Sequence, residues 1–321
     1  MNRSRLANLI GIAIGVAGIA FVTSRIIRDR EAIADALSSA ELGWLLVGAV
    51  AGCIAMALIG VNWLLILRHG GAAAPWRRGM AWFFVGQLGK YVPGGIWPIV
   101  GQAELAHREA TPRGAAYSST AMSMVTTFLG SATVAAITGL MTPTDHRAIA
   151  ATFAAVLLLL FVAIASPPAR RFMDRLARRV TTRELRLPDA RWFALVVARH
   201  LPVWVAFAGM NIFAAVALGV ELDESVVIEL VFATCISWMA GFVIVGVPGG
   251  IGVRETIFIS MTTAMLGADI AVSVAVLSRV VSIAVDLLGA AMSVAVARTA
   301  PAPGPAGDRA DEVTLDRYAA P

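Results

Sequence analysis

The pentapeptide Val-Pro-Gly-Gly-Ile occurs twice in this chain, at 92–96 and at 247–251, with charged residues beside both copies. Proline stops a helix and removes a donor, while paired glycines allow positive φ and let a ligand approach the backbone closely. The half-helix that resumes after such a turn presents free N–H groups and a positive dipole end, an arrangement suited to a phosphate. Lys90 lies three residues before Pro93, and Arg254 and Glu255 follow Pro248, Gly249 and Gly250 directly. The chain has 25 Arg and a single Lys, so an ammonium at Lys90 stands out. Glu104 follows the first turn, together with Gln102 and His107. Arg279 and Asp286 are seven apart within one apolar run and share a helix face two turns apart. An ionisable group at the centre of a bilayer costs ~3 kcal/mol or more and marks a functional interior by default. At ~10 Å of rise these two are too far apart to pair with each other, so partners on other helices are expected, Glu104 or Glu255 for Arg279.

Whatever positions these residues is a membrane bundle. Of 321 residues, 58% are hydrophobic and 15% charged, and mean hydropathy is +0.78. A soluble domain carries about a quarter charged residues. The apolar runs are continuous over ~20 residues without period-two alternation, which argues for helices over a β-barrel. The expected fold is all-α, a polytopic helix bundle of about eight spans: 6–24, 43–67, 115–140, 148–165, 192–220, 226–247, 256–267 and 270–297. Residues 80–103 are apolar but cut by 89–95. Each arm is ~8–9 residues, or ~13 Å of helix against ~30 Å of hydrocarbon, so neither can cross. One or two re-entrant broken segments built on the Pro-Gly-Gly turns are expected, and paired broken segments in two halves of a chain point to a transporter's binding site.

Arginine placement sets the expected orientation. Segment 166–191 holds eight arginines, with Phe172, Leu176 and Val180 spaced for an amphipathic helix on the headgroups. It is expected in the cytoplasm, together with both termini. Arg25, Arg28 and Arg30 run against that assignment. The expected division is a transmembrane domain over 1–297 and a disordered cytoplasmic tail over 298–321. Cys53 and Cys235 sit in apolar runs and read as packed residues. The chain shows no His-x-x-x-His pair, phosphate-binding Walker loop or Gly-x-Ser-x-Gly elbow, so no enzyme activity, cofactor or metal is expected. The basic excess reads as topology and lipid contact, not nucleic-acid binding.

Gly-Lys-Tyr-Val-Pro-Gly-Gly-Ile-Trp at 89–97, followed by Glu104, and Pro-Gly-Gly-Ile-Gly-Val-Arg-Glu at 248–255 together resemble the lysylphosphatidylglycerol synthase transmembrane family, also called flippase-like domain proteins. The likeness covers roughly 6–297. It implies lipid-linked chemistry: in the multiple-peptide-resistance-factor proteins the domain is implicated in moving aminoacylated phosphatidylglycerol between leaflets, and archaeal relatives are linked to dolichol-phosphate glycan assembly. The motif match carries over Lys90, Pro93, Gly94, Gly95, Glu104, Pro248, Gly249, Gly250, Arg254 and Glu255. The chain departs from the full-length synthases, which add a soluble aminoacyl-transferase domain. Only 24 residues follow Ala297, so synthesis of lysylphosphatidylglycerol by this chain alone is not expected.

The leading expectation is a plasma-membrane protein that binds and translocates a phosphate-headed lipid, phospholipid or polyprenyl-linked. Lys90, Arg254 and Arg279 would hold the headgroup while Glu104, Glu255 and Asp286 balance charge. Two alternatives stay open: a non-catalytic subunit presenting a lipid-linked substrate to a separate lipid-modifying transferase, and a small-solute or ion transporter.

Overall fold

The computed structural model describes residue 27 and residues 30–72, 74–92, 96–109, 111–142, 147–165, 190–243, 250 and 252–299. Eleven α-helices and a 3-10 turn account for nearly all of them, and no strand occurs among the described residues. In chain order they are α1 (Arg30–Ser39), α2 (Leu42–His69), α3 (Trp76–Gln87), the 3-10 turn Leu88–Tyr91, α4 (Trp97–Arg108), α5 (Arg113–Met141) and α6 (Arg147–Ala165). There follow α7 (Ala190–Ala198), α8 (Leu201–Ala217), α9 (Glu224–Val243), α10 (Val253–Leu266) and α11 (Ala268–Arg298).

Proline punctuates these helices where it costs least. Pro75 and Pro112 precede α3 and α5, and Pro98 and Pro202 fall in the first turns of α4 and α8, where a missing N–H breaks no intrahelical bond. Pro202 also explains why α7 and α8, expected as one span over 192–220, are two helices separated by a turn at Arg199–His200. Taken across that turn, residues 191–217 are long and apolar enough to cross a membrane, as are α2, α5, α11 and residues 224–242 of α9. By contrast α3 and α4 have 12 residues each, ~18 Å, and α10 has 14, ~21 Å, all well short of ~30 Å.

Small residues let the long helices close on one another. Gly48, Gly52 and Gly209 bring α2 against α8 at Phe213, Met210 and Ala51. Helix α11 packs on α2, α3, α8 and α10 and so runs through the middle of the contact network. Its direction follows from two contacts: Val285 meets Gly52 of α2, and one turn on Gly289 meets Phe84 of α3. Helix α1 packs on α11, with Ala36 buried, while Leu37 and Leu42 are exposed.

The bundle has two chemically different ends. One gathers Arg68, Arg77, Arg78, Arg108, Arg113, Arg191 and Arg298, cross-tied by the Arg78–Glu109 ion pair at 2.8 Å and by His69 stacked on Trp192. At the other, the Glu41 N–H donates to the Ala217 carbonyl at 2.8 Å, and Glu221, Asp223, Glu224 and Asp269 lie at the helix starts nearby. The first expected span, the amphipathic helix expected within 166–191 and the tail beyond Thr299 lie outside the described residues, as do Pro93, Gly94, Gly95, Pro248 and Gly249.

Candidate functional site

The 3-10 turn between α3 and α4 places Lys90 and Tyr91 at the inner end of a short helical pair. Gly86 of α3 sits against Gln102 of α4, and Gly89 against the Trp97 backbone, so close that a Cβ at either would collide. Lys90 Nζ reaches Asp286 Oδ2 of α11 at 2.7 Å. The Tyr91 hydroxyl donates to the same oxygen at 2.5 Å. The Asp286 side chain is 1% exposed and that of Lys90 23%, so the ammonium has a buried partner while the Lys90 side chain lines a cavity.

Two turns earlier on α11, Arg279 Nε lies 3.5 Å from Glu255 Oε1 of α10. The other Glu255 oxygen accepts the Gly252 N–H at 2.5 Å and closes the first turn of α10. Gly252 has φ +90° and Gly250 φ +67°, backbone that a side chain makes costly, so the second turn requires glycine at both. Gly250 also abuts Gly241 of α9, and the aliphatic stem of Arg254 lies over that glycine pair. The Arg254 guanidinium stands 5.6 Å from the centre of the Phe207 ring. Arg254 and Arg279 are within electrostatic range of Lys90 and of each other. Three formal cations, Lys90, Arg254 and Arg279, thus face two formal anions, Asp286 and Glu255, leaving one positive charge over.

Two cavities meet at this cluster, sharing Arg254 and Phe207 in their walls. The larger encloses about 1080 Å³ of space between atoms, its mouth included. Its lining mixes polar side chains, Gln87, Lys90, Gln102, Thr120, Ser123 and Thr127, with apolar ones, among them Met56, Ile59, Phe83, Trp204, Trp238 and Phe242. Trp238 stacks on Phe242 with ring centres 5.6 Å apart, and Trp204 crosses Trp238 at 4.6 Å. The smaller cavity, about 410 Å³ with its mouth, is lined by Asn211, Thr234, Ser237, Ser278 and Ser282 with Arg254, Glu255 and Arg279. Among the described residues no cluster of three or more His, Cys, Asp or Glu could hold a metal ion.

Of the residues expected to form a site, Lys90, Arg254, Glu255, Arg279, Asp286 and Gly250 converge. Glu104 does not join them: on the opposite side of α4 it takes the Arg113 guanidinium at 3.4 Å and the Tyr117 hydroxyl at 3.3 Å. Glu255, rather than Glu104, is the observed partner of Arg279. Asn62 and Asn211 tie helices together, to the Arg199 carbonyl at 3.2 Å and the Thr234 hydroxyl at 2.9 Å. His200 is fully enclosed, while Arg199 beside it is exposed.

Sequence reasoning passed over Tyr91, although it lies inside the first motif and its hydroxyl was the available signal. It also passed over the Trp204–Trp238 pair, and over Glu229, a fully buried carboxylate within α9 that accepts the Thr142 hydroxyl. A lone acid in an apolar run was the signal for Glu229.

A family model described as the lysylphosphatidylglycerol synthase TM region matches residues 8–290. No curated protein matches the chain.

Proposed function

Because the chain belongs to the lysylphosphatidylglycerol synthase transmembrane family, whose members are multi-pass membrane proteins related to lipid handling, we propose that it binds a phosphate-headed lipid and carries its headgroup between leaflets. The observation that carries this reading is the charge cluster at the junction of the two cavities. An excess positive charge with guanidinium and ammonium donors suits a phosphodiester, and Arg254 offers a planar fork for two of its oxygens. The larger cavity's mixed polar and apolar lining suits a molecule with a polar head and an apolar body.

Movement needs an interior that irregular backbone can line without facing lipid. The pair α3–α4 and the turn into α10 act as re-entrant elements, each too short to cross and each bringing a broken backbone to the charged centre. Their tight glycine contacts keep that backbone against protein. The lipid phosphate displaces Asp286 from Lys90 and sits against Arg254, while the acyl or prenyl chains stay in the bilayer. Nothing in this scheme makes or breaks a covalent bond, so the protein acts as a carrier and not an enzyme. The arginine-rich end faces the cytoplasm of a plasma-membrane protein, as the bias of cytoplasmic loops toward Lys and Arg requires.

The test is headgroup movement in reconstituted vesicles. Fluorescently labelled phosphatidylglycerol is placed in both leaflets and bleached from outside. The purified protein is expected to make the inner pool accessible, and Lys90→Ala and Arg254→Ala to slow this at least tenfold. Unchanged movement in both variants would sink the proposal.

A further inference from the structure

Lys90 and Tyr91 are neighbours in one turn yet differ in what can reach them. Lys90 lines the larger cavity, whereas Tyr91 and Asp286 line neither cavity and are buried. A headgroup in the larger cavity therefore meets the ammonium and not the carboxylate or the phenol behind it. The turn that carries Tyr91 is pinned, with Gly89 against the Trp97 backbone and the Val92 N–H donating to the Gly89 carbonyl at 3.1 Å. Lys90 hangs from the same turn on a long flexible stem with rotatable donors.

Charge separates the two donors further. Both reach Asp286 Oδ2, the ammonium at 2.7 Å and the phenol at 2.5 Å. A phosphate draws the ammonium by its charge, and a neutral phenol offers no such pull. When Lys90 turns to the phosphate, Asp286 loses its ion-pair partner in a dry interior. A buried carboxylate left without a donor neutralises by taking a proton, whereas a hydrogen bond to the charged form keeps it ionised. The other charged or titratable groups near Asp286 are Cys53 of α2, Arg254 of α10 and Arg279 of α11 itself. Of the remaining elements packed on α11, α8 has no ionisable side chain within Leu201–Ala217, α3 has Arg77 and Arg78 at its far start, and α1 has Arg30, Glu31 and Asp35. Glu255 of α10 is engaged by Arg279 and by the Gly252 N–H.

Resting on the lipid-binding reading above, we propose that Tyr91 is a positioning residue for headgroup exchange: its hydroxyl stays on Asp286 and keeps it a carboxylate while Lys90 leaves for the lipid phosphate. Loading then takes up no proton. Without the phenol hydroxyl, loading draws a proton from the medium onto Asp286, and binding acquires a pH dependence that the unaltered protein lacks.

The test is binding of phosphatidylglycerol to the purified full chain in detergent, at a series of pH values around neutrality. Over that range the phosphodiester stays a monoanion and the glycerol does not titrate, so the lipid itself contributes no slope. The unaltered protein is expected to give a flat profile. In Tyr91→Phe the dissociation constant is expected to rise about tenfold per pH unit, because a proton taken up on binding is harder to supply as pH rises. Adding Asp286→Asn to Tyr91→Phe should flatten the profile again, since no carboxylate is left there to protonate. A merely lost packing contact would weaken binding equally at every pH. Infrared difference spectra on lipid addition give a second reading that does not depend on the stability of Tyr91→Phe: the unaltered protein should show no new protonated carboxyl band. A flat profile in Tyr91→Phe overturns the role of Tyr91. So does a slope that survives Asp286→Asn, or a protonated carboxyl band in the unaltered protein that Asp286→Asn removes. If the unaltered protein binds no phosphatidylglycerol, or binds it as well after Lys90→Ala and Arg254→Ala, the lipid-binding reading itself fails and this proposal with it.

Discussion

Asp286 receives both of its donors on one oxygen, the Lys90 ammonium at 2.7 Å and the Tyr91 hydroxyl at 2.5 Å. Removing one member of a buried pair strands the other, which costs about 3 kcal/mol, whereas replacing both with apolar groups is often close to neutral. Lys90→Met and Asp286→Leu alone are therefore each expected to destabilise by about that amount, and the double change by clearly less than their sum. Graded SDS unfolding of the three variants measures this, and strictly additive losses would show that the pair does not interact. That Lys90 and Asp286 matter was legible in the sequence, because an embedded charge is conspicuous in an apolar run. That they meet was not, since even Tyr91, the residue after Lys90, is 195 positions from Asp286, and only the packing of α3 and its following turn on α11 brings them together. For Arg279 the partner was legible as one of two acids. Distance along α4 decided against Glu104, which had Arg113 and Tyr117 nearer to hand.

Two glycines of the second turn separate strain from crowding. Both have positive φ, but a Cβ on Gly252 would enter open space, whereas one on Gly250 would lie 2.8 Å from backbone atoms of Gly241. Gly252→Ala is expected to cost about 1–2 kcal/mol from backbone conformation alone, and Gly250→Ala more, with a matching loss of lipid binding as Arg254 is pushed off the glycine pair. Thermal unfolding in detergent ranks them, and equal losses would contradict the contact. At the start of α9, the Asp223 carboxylate takes the Ser225 hydroxyl at 2.6 Å and the Val226 N–H at 2.8 Å. These bonds, the Ser225 hydroxyl first, hold its carboxyl below the ordinary value. A depressed folded value contributes stability above the ordinary carboxylate range that disappears as pH falls through the folded value. Acid should therefore weaken this helix start, and Asp223→Asn, which still accepts, should flatten that part of a stability–pH profile. The short helices were legible from the interrupted apolar run at 80–103. The break between α7 and α8 was not, because the apolar run over 192–220 continues through Arg199 and His200, where the helix turns.

Across the whole molecule the helical class and the family were legible, since composition and two motifs suffice for both. The enclosure was not: the aromatic lining of the larger cavity draws on α3, α8 and α9 and the smaller cavity on α8, α9, α10 and α11, and no local pattern announces their convergence. The excess of arginine at one end, with Arg30 and Arg147 at the other, predicts the outcome of cysteine labelling in intact cells. With Cys53 and Cys235 replaced, a single cysteine at Glu221 should react with a membrane-impermeant maleimide and one at Arg298 should not, and the reverse would invert the orientation. The charge cluster itself has an electrical consequence. It lies part-way between the two ends with a formal charge of +1 when empty, from three cations and two acids, and a monoanionic phosphodiester brings it to zero. A membrane potential does no work on a neutral load but acts on the vacant site at ~2.3 kcal/mol per elementary charge per 100 mV for the full field. In the carrier proposed above, with a cell interior that is negative, voltage draws the vacant site toward the cytoplasmic side and sets its resting posture.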